Sequence, residues 1–391
     1  MFTRFGVRNY FSFEEGIEVS FDVTNAPKDT VPNVGGLTTV LGIKGANGSG
    51  KTNIIRAISM YRNFAGFSNE IDKEAEYDVE TFFGNKKPSE FYYEFIIGNA
   101  TYCHEFAIQG GQITFERITR TIKRKTELLV RKNNQIESCL STFEELQSIK
   151  LNPKVSIATI TRTHKFKGDF AELNKINHFA RNVYTNVGFF GYMDFELDKN
   201  SVSEDYLRSD VYKSAALSIL QKADSGIIDF EILSNKDEKG ETNYFPVFHR
   251  KNKGKVKRTL FYQESKGNQR LFKVIHLYTL ILSIGGVLAL DEFDIHLHAK
   301  ILPEILELFE DPNSNTHNAQ FIFTAHNTEI IDSLGKYRTI LVNKEDNESY
   351  CYRLDEIPGS LVRNDRAISP LYLAGKIGGI PTNTSEHGPE S

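Results

Sequence analysis

A chain of 391 residues, 40% hydrophobic and 25% charged, is long enough for two folding units, or for one large domain carrying an insertion. Its net charge of −4 and pI near 6.2 exclude an overall basic field for nucleic acid, though not a local basic groove. Cys103, Cys139 and Cys351 show neither a disulfide framework nor a zinc pattern. With no apolar leader and no run of about eighteen apolar residues, the expectation is a cytoplasmic protein away from membranes.

In chain order, TRFGVRNYFSF and GIEVSF read as strands around a turn. TTVLGI, Thr38 to Ile43, is a buried strand. TNIIRAISMYRNF then repeats Ile54, Ile55, Ile58 and Tyr61 at helical spacing. FYYEFIIG, YCHEFAIQ and QITFERITRTI alternate as an antiparallel meander. From 133 to 223 the pattern is helical, with TFEELQSI, FAELNKINHFARNVY and VYKSAALSILQKA. GIIDFEIL, YFPVFH and RTLFYQE follow as short strands, and strand–helix alternation resumes from RLFKVIHLYTLILSI through GVLALD, QFIFTA and RTILVN. The polar end, TNTSEHGPES, is expected to be disordered.

Between the first buried strand and its helix lies GIKGANGSGKTN, with Gly45, Gly50, Lys51 and Thr52 in the G-x-x-x-x-G-K-[ST] spacing. Glycines at 45, 48 and 50 let backbone N–H groups turn inward around phosphates beside a helix N-terminus. The loop Asn47, Gly48, Ser49, Gly50, Lys51, Thr52 and Asn53 is therefore expected to hold ATP. Lys51 would reach the β- and γ-phosphates, and Thr52 would ligate Mg²⁺.

GGVLALDEFD supplies the second half: the apolar run Val287 to Leu290 ends in Asp291 and Glu292. Asp291 is the expected Mg²⁺ ligand and Glu292 the base for water. In QFIFTAHNTEII, His326 follows another apolar strand, at the sheet edge where ligands bind, and is expected to face the γ-phosphate. For one nucleotide, the strand before the loop and GVLALDE must lie side by side in one parallel sheet. The segment between them is then an insertion. The expected units are 1–132, 133–223 (helical insertion), 224–381, and a disordered tail, 382–391.

The motif order of phosphate loop, long insertion, ESKGNQR, LALDEFD and FTAHN resembles the ABC-type ATPase heads of chromosome-maintenance and break-repair proteins. It is still more similar to AAA family ATPases of the overcoming-lysogenization-defect group. The resemblance implies an α/β fold: a P-loop head with an antiparallel β subdomain and a helical insertion. It further implies that Ser265 and Gly267 touch the ATP of an opposite subunit, that Asp294 acts across a homodimer, and that His298 matches the family's LHP motif, with Ala299 in place of its proline. Tyr372, Gly375, Lys376, Gly378 and Gly379 in NDRAISPLYLAGKIGGIP resemble a C-terminal motif of anti-phage ATPase subunits of the AbiL, RloA and PARIS types. The function implied by this resemblance is an ATP-hydrolysing sensor or scaffold in abortive-infection defence, without a toprim domain and with a separately encoded toprim- or HNH-type effector or toxin. A Q-loop glutamine stays unassigned, Gln109 and Gln112 being the candidates.

Other features have bland readings. Arg250 to Arg258 holds six basic residues in nine. It reads as a solvated hairpin turn or as a clamp on nucleic acid, with the turn favoured. Arg120 to Lys132 reads as surface, and HFARNVYTNVGFFGY as core sooner than a partner face. The alternative function, a DNA repair or chromosome-associated ATPase, would want a long heptad coiled coil, which 133–223 lacks. A membrane-transporter ATPase would want L-S-G-G-Q in place of ESKGNQ. Glu204 and Asp205 are the remaining acidic pair, and on a helix they diverge by about 100°.

Overall fold

The computed structural model describes residues 1–28, 30–70, 79–193, 197–295, 297, 299–359, 361–363 and 366–380. The chain opens with β1 (Phe2–Arg8) and β2 (Ile17–Ser20), and β3 (Val40–Gly45) runs into α1 (Lys51–Tyr61). Next come β4 (Ser89–Ile97), β5 (Ala100–Gln109), β6 (Gln112–Thr121), β7 (Lys125–Lys132) and β8 (Gln135–Cys139). After two short 3-10 turns follow α2 (Ala171–Arg181), β9 (Val183–Thr185), the small hairpin β10 (Val187–Gly188) and β11 (Gly191–Tyr192), α3 (Lys199–Arg208) and α4 (Asp210–Ala223). The remainder is β12 (Ile227–Lys236), β13 (Thr242–Asn252), β14 (Lys255–Leu260), α5 (Lys266–Ile284), β15 (Val287–Leu290), α6 (Leu302–Glu310), β16 (Gln320–Thr324), α7 (Ile330–Leu334), β17 (Thr339–Glu345), β18 (Glu348–Arg353) and α8 (Ser369–Leu373).

Two large sheets result, one antiparallel in the order β2-β1-β4-β5-β6-β7-β8 and one of six strands in the order β18-β17-β3-β16-β15-β9. In the second, β17, β3, β16, β15 and β9 run parallel. Its strands bury both faces, as parallel sheets do. Ile43, Ala289 and Ile322 point into one core with α1 and the antiparallel sheet. Val40, Leu288, Leu290, Phe321 and Phe323 point into the other with α5, α6 and α7. This is the expected α/β head with its antiparallel β subdomain. β12, β13 and β14 form a separate three-stranded sheet, lying against α3 and α4 through Phe230 and Phe248.

Four features differ from the sequence reading, the first being that Arg120 to Lys132, expected at the surface, buries Leu128, Leu129, Val130 and Arg131 in β7 against the core. β3 and β15 share a sheet but are not side by side, because β16 pairs with both. Its all-buried run, Phe321 to Phe323, suits the centre of a sheet covered on both faces. The segment 133–223 is not wholly helical: β8 completes the antiparallel sheet and β9 forms the edge of the parallel one. TFEELQSI forms a 3-10 turn, Ser141–Ser148, in place of an α-helix. His298 and the tail 382–391 lie outside the described residues.

The antiparallel sheet carries a buried polar knot. Glu116, His104 and Arg131 have fully buried side chains. Glu116 accepts from Ser156 Oγ at 2.5 Å and from the Ile157 amide at 3.0 Å, with His104 Nε2 at 3.1 Å and Arg131 Nη1 at 3.4 Å. Arg131 also donates to the carbonyls of Asn152 and Val155, fastening 152–157 to the sheet. Desolvation pushes the Glu116 carboxyl up, but the His104 hydrogen bond, the His104 and Arg131 charges and Ser156 outweigh it and leave it below its ordinary value.

A depressed carboxyl contributes stability that is full above its unfolded value and is lost as pH falls through the folded one. Glu116→Ala strands a buried cation and should cost about 3–5 kcal/mol in denaturant unfolding at neutral pH. The gap between wild type and Glu116→Gln should narrow as pH drops below about 4. A Glu116→Ala protein with the wild-type unfolding midpoint would contradict this role.

Candidate nucleotide site

The loop between β3 and α1 is built to leave donors free. Gly50 is the N-cap of α1 with φ 106° and supplies no side-chain cap; the Asn53 amide turns back to the Gly50 carbonyl at 3.0 Å, which leaves the Lys51 and Thr52 N–H groups to an anion. A Cβ at Gly50 would lie 2.6 Å from Ser349 Oγ and 2.9 Å from Ser12 Oγ; no other residue fits. Asn47 and Gly48 stand exposed at the loop tip, and Gly48 has φ 76°. Ser49 Oγ is buried without a hydrogen-bond partner. Lys51 Nζ folds back onto the carbonyls of Gly45 and Ala46, each at 2.9 Å. Burial lowers its pKa, against the pull of Asp291 and Glu292. An ammonium resting on two loop carbonyls, beside unused N–H groups and an unpartnered hydroxyl, fits a polyphosphate. Asn53 donates to Ser12 Oγ at 2.7 Å and accepts from Arg56 at 2.6 Å.

Asp291, only 3% exposed, joins the two halves of the sequence motif. Its Oδ2 accepts from Thr52 Oγ1 at 2.7 Å and its Oδ1 from Thr324 Oγ1 at 2.5 Å. Asn186, at the end of β9, pairs with the Asp291 backbone through both side-chain atoms, at 2.7 and 2.8 Å. The hydroxyl–carboxylate pair of Thr52 and Asp291 is the hard-oxygen set that suits Mg²⁺.

Glu292 follows in a left-handed conformation, φ 51°, which non-glycine residues adopt rarely and at a cost. Its amide donates to Thr324 Oγ1 at 2.7 Å. Its carboxylate faces His326 Nε2 at 3.1 Å, both side chains partly exposed. Asp294, expected to act across a dimer, holds the amides of His326 and Asn327 in its own chain, at 3.0 and 2.6 Å. The structure thus brings Lys51, Thr52, Asp291, Glu292, Asp294 and His326 together.

Ser265 and Gly267 stand apart, exposed on the first turn of α5. Ser265 caps the helix by accepting from the Asn268 amide. Gly267 lines a separate cavity of about 520 Å³ with Lys266, Arg270 and Lys273. Arg250, from the basic run, supports this turn, bridging Asp224 and the buried Glu264 at 2.7 Å each while Asn268 binds the same two carboxylates. Beyond it the run is the exposed end of the β13–β14 hairpin, turning at Lys253 and Gly254, both at positive φ, with Arg258 paired to Glu231. Gln109 and Gln112 face each other at the tip of the β5–β6 hairpin. The cavities of about 620 and 690 Å³ lie elsewhere, on the outer face of the antiparallel sheet and at the start of β15.

Sequence reasoning missed Lys44, Asn186 and the Thr324 hydroxyl. A lysine inside an apolar strand was the available signal for the first. The other two are ordinary polar residues at strand ends.

A family model described as "AAA domain, putative AbiEii toxin, Type IV TA system" matches residues 40–332. No curated protein matches the chain. Among solved structures, it is similar to the SMC head domain from Thermotoga maritima, with 12% identity, 90% of this chain and 98% of that chain covered, and a TM-score of 0.40. A Smc head with an extended coiled coil, bound to the C-terminal domain of ScpA derived from Pyrococcus furiosus, gives 13%, 90%, 96% and 0.43. The recombination mediator RecF with ATP gives 12%, 83%, 92% and 0.31.

Two substitutions separate binding from chemistry at this site. Lys51→Ala removes the cation at the loop and should abolish ATP binding in calorimetric titration. Glu292→Gln should keep ATP bound within about threefold while phosphate release falls at least about a hundredfold, because an amide takes no proton. Wild-type turnover by Glu292→Gln would remove it as the base.

Proposed function

This chain belongs to the AAA-domain family that its residues 40–332 match, and from that premise we propose that it binds and hydrolyses Mg-ATP as the nucleotide-driven subunit of an anti-phage defence system. The contact that carries the reading is Thr52 Oγ1 to Asp291 Oδ2, at 2.7 Å. It joins the phosphate loop to an acidic strand end 239 positions away, which alone would be a weak signal. Thr52 and Asp291 would hold Mg²⁺, which when bound neutralises charge on the phosphates. Lys51 would leave its two loop carbonyls for phosphate oxygens. Glu292, aimed by its strained backbone and by His326, would take the proton of the attacking water.

Ser265 and Gly267 have no place in their own chain's phosphate loop. Their exposure at the N-terminus of a 19-residue helix supports their reaching the ATP of a second copy, so that two heads close around nucleotide. The killing step is assigned to a separately encoded toprim- or HNH-type nuclease or toxin. The acidic pair outside the site is engaged otherwise: Glu204 pairs with Arg208 at 2.5 Å and Asp205 with His276 at 2.7 Å. The family description, which speaks of a toxin and a toxin–antitoxin system, supports defence over repair, and a cytoplasmic site of action goes with it. No helix among the described residues is long and apolar enough to cross a membrane.

Light scattering of Glu292→Gln should double the particle mass on adding Mg-ATP, and Ser265→Arg should prevent it. In the same buffer, plasmid, phage DNA and tRNA should stay intact. A strictly monomeric particle with full turnover would defeat the two-headed arrangement, and cutting that survives repurification would defeat the separate effector.

A further inference from the structure

Lys44 is 3% exposed in an apolar strand. Its ammonium donates to three successive carbonyls, Ala325 and His326 at 2.8 Å and Asn327 at 3.3 Å. Burial draws its pKa down to about 8, opposed by Asp294 and aided by Lys51. The same turn is gripped from its other side, where Asp294 accepts the amides of His326 and Asn327. A cation on the carbonyls and an anion on the amides fix the peptide planes, and from that fixed backbone the His326 ring reaches Glu292.

The C-terminal strap, 366–380, roofs this arrangement. Its start is tied to α7, where Asp332 accepts from the amides of Ile368 and Ser369 at 2.6 and 2.9 Å and from Ser369 Oγ at 2.6 Å. Its end is tied to β17 and β18: the Gly379 amide donates to Asn343 Oδ1 at 2.6 Å and Tyr352 OH to the Ile377 carbonyl at 2.7 Å. Between them Tyr372, its hydroxyl donating to the Gly379 carbonyl at 2.8 Å, sets its ring 5.6 Å from Lys44 Nζ, within cation–π range. Gly378 and Gly379 have φ of +78° and +75°, and a Cβ on Gly379 would lie 2.8 Å from the Tyr372 ring. The tyrosine and glycines of the C-terminal motif are therefore those the roof requires. With water excluded, the ammonium–carbonyl contacts act in a low dielectric, where they are stronger.

We propose that Lys44 is a positioning residue for His326, and that the C-terminal strap serves to keep water from it. This rests on the ATPase reading. A purely structural lysine would lower stability without a specific effect on the chemical step, so the test is a cycle with His326. Lys44→Met should leave ATP affinity within about threefold and lower kcat about tenfold, and Lys44→Met/His326→Ala should turn over no slower than His326→Ala alone, within about twofold. Losses that multiply in the double variant, or an unchanged kcat in Lys44→Met, overturn the proposal. Should Lys44→Met not fold, Tyr372→Leu opens the roof and takes its place in the cycle, where the same results support or overturn the proposal. Amide exchange read on the peptide 320–334 needs no turnover: either variant should speed exchange at His326 and Asn327 at least about fivefold over wild type. Unchanged exchange overturns the positioning role, whereas a wild-type protein without ATPase activity overturns only the reading on which it rests.

Discussion

A carboxylate buried in protein is costly unless donors surround it, and Asp291 is the point at which this chain meets that requirement. Thr52, 239 positions away, supplies one hydroxyl and Thr324, 33 positions away, the other. Asn186, 105 positions away, closes the backbone on the remaining side. These partners sit at the start of α1, the end of β16 and the end of β9. Satisfying the side chain and backbone of this one residue ties the ends of β16 and β9 and the start of α1 to the end of β15. Glu292, the proposed base, is held at the same edge, because its amide donates to the same Thr324 hydroxyl.

With the centre fixed, the intervening chain is used to cover the sheet and to extend it. The antiparallel sheet and α1 bury one face and α5, α6 and α7 the other. Alternate residues of β15 and β16 thus serve two cores. The first turn of α5 is stabilised independently of the phosphate loop, through Glu264, Arg250, Asp224 and Asn268. Its exposed Ser265 and Gly267 can therefore be presented outward at no cost to the fold of their own head.

The candidate site's loop and strand-end residues are legible in the sequence because their signals are local. A buried strand, a glycine-spaced loop and a helix stand in immediate succession around Lys51, and the apolar runs before Asp291 and His326 end where the polar residues begin. Strand order is not legible, because the apolar runs of β3, β15 and β16 are alike and all bury both faces, so nothing local says which of them lies between the other two. β9 is three residues long, too short for alternation to register within a helical stretch. Arg250 sits in a run whose other members form a solvated turn, and only the fold reveals the two carboxylates beside it. The C-terminal glycines can be read as a motif, but their reason, the close approach of Tyr372 and Tyr352, is a matter of packing.

Asp291 makes one site of four segments distant in sequence. Hydrogen exchange with and without Mg-ATP tests it most directly, because segments sharing one hub should gain protection together. Exchange should slow in 46–52, 185–187, 290–294 and 324–327 at the same ATP concentration, and each effect should be lost in Lys51→Ala. Protection confined to 46–52, with the other three segments unchanged at saturating ATP, would contradict it.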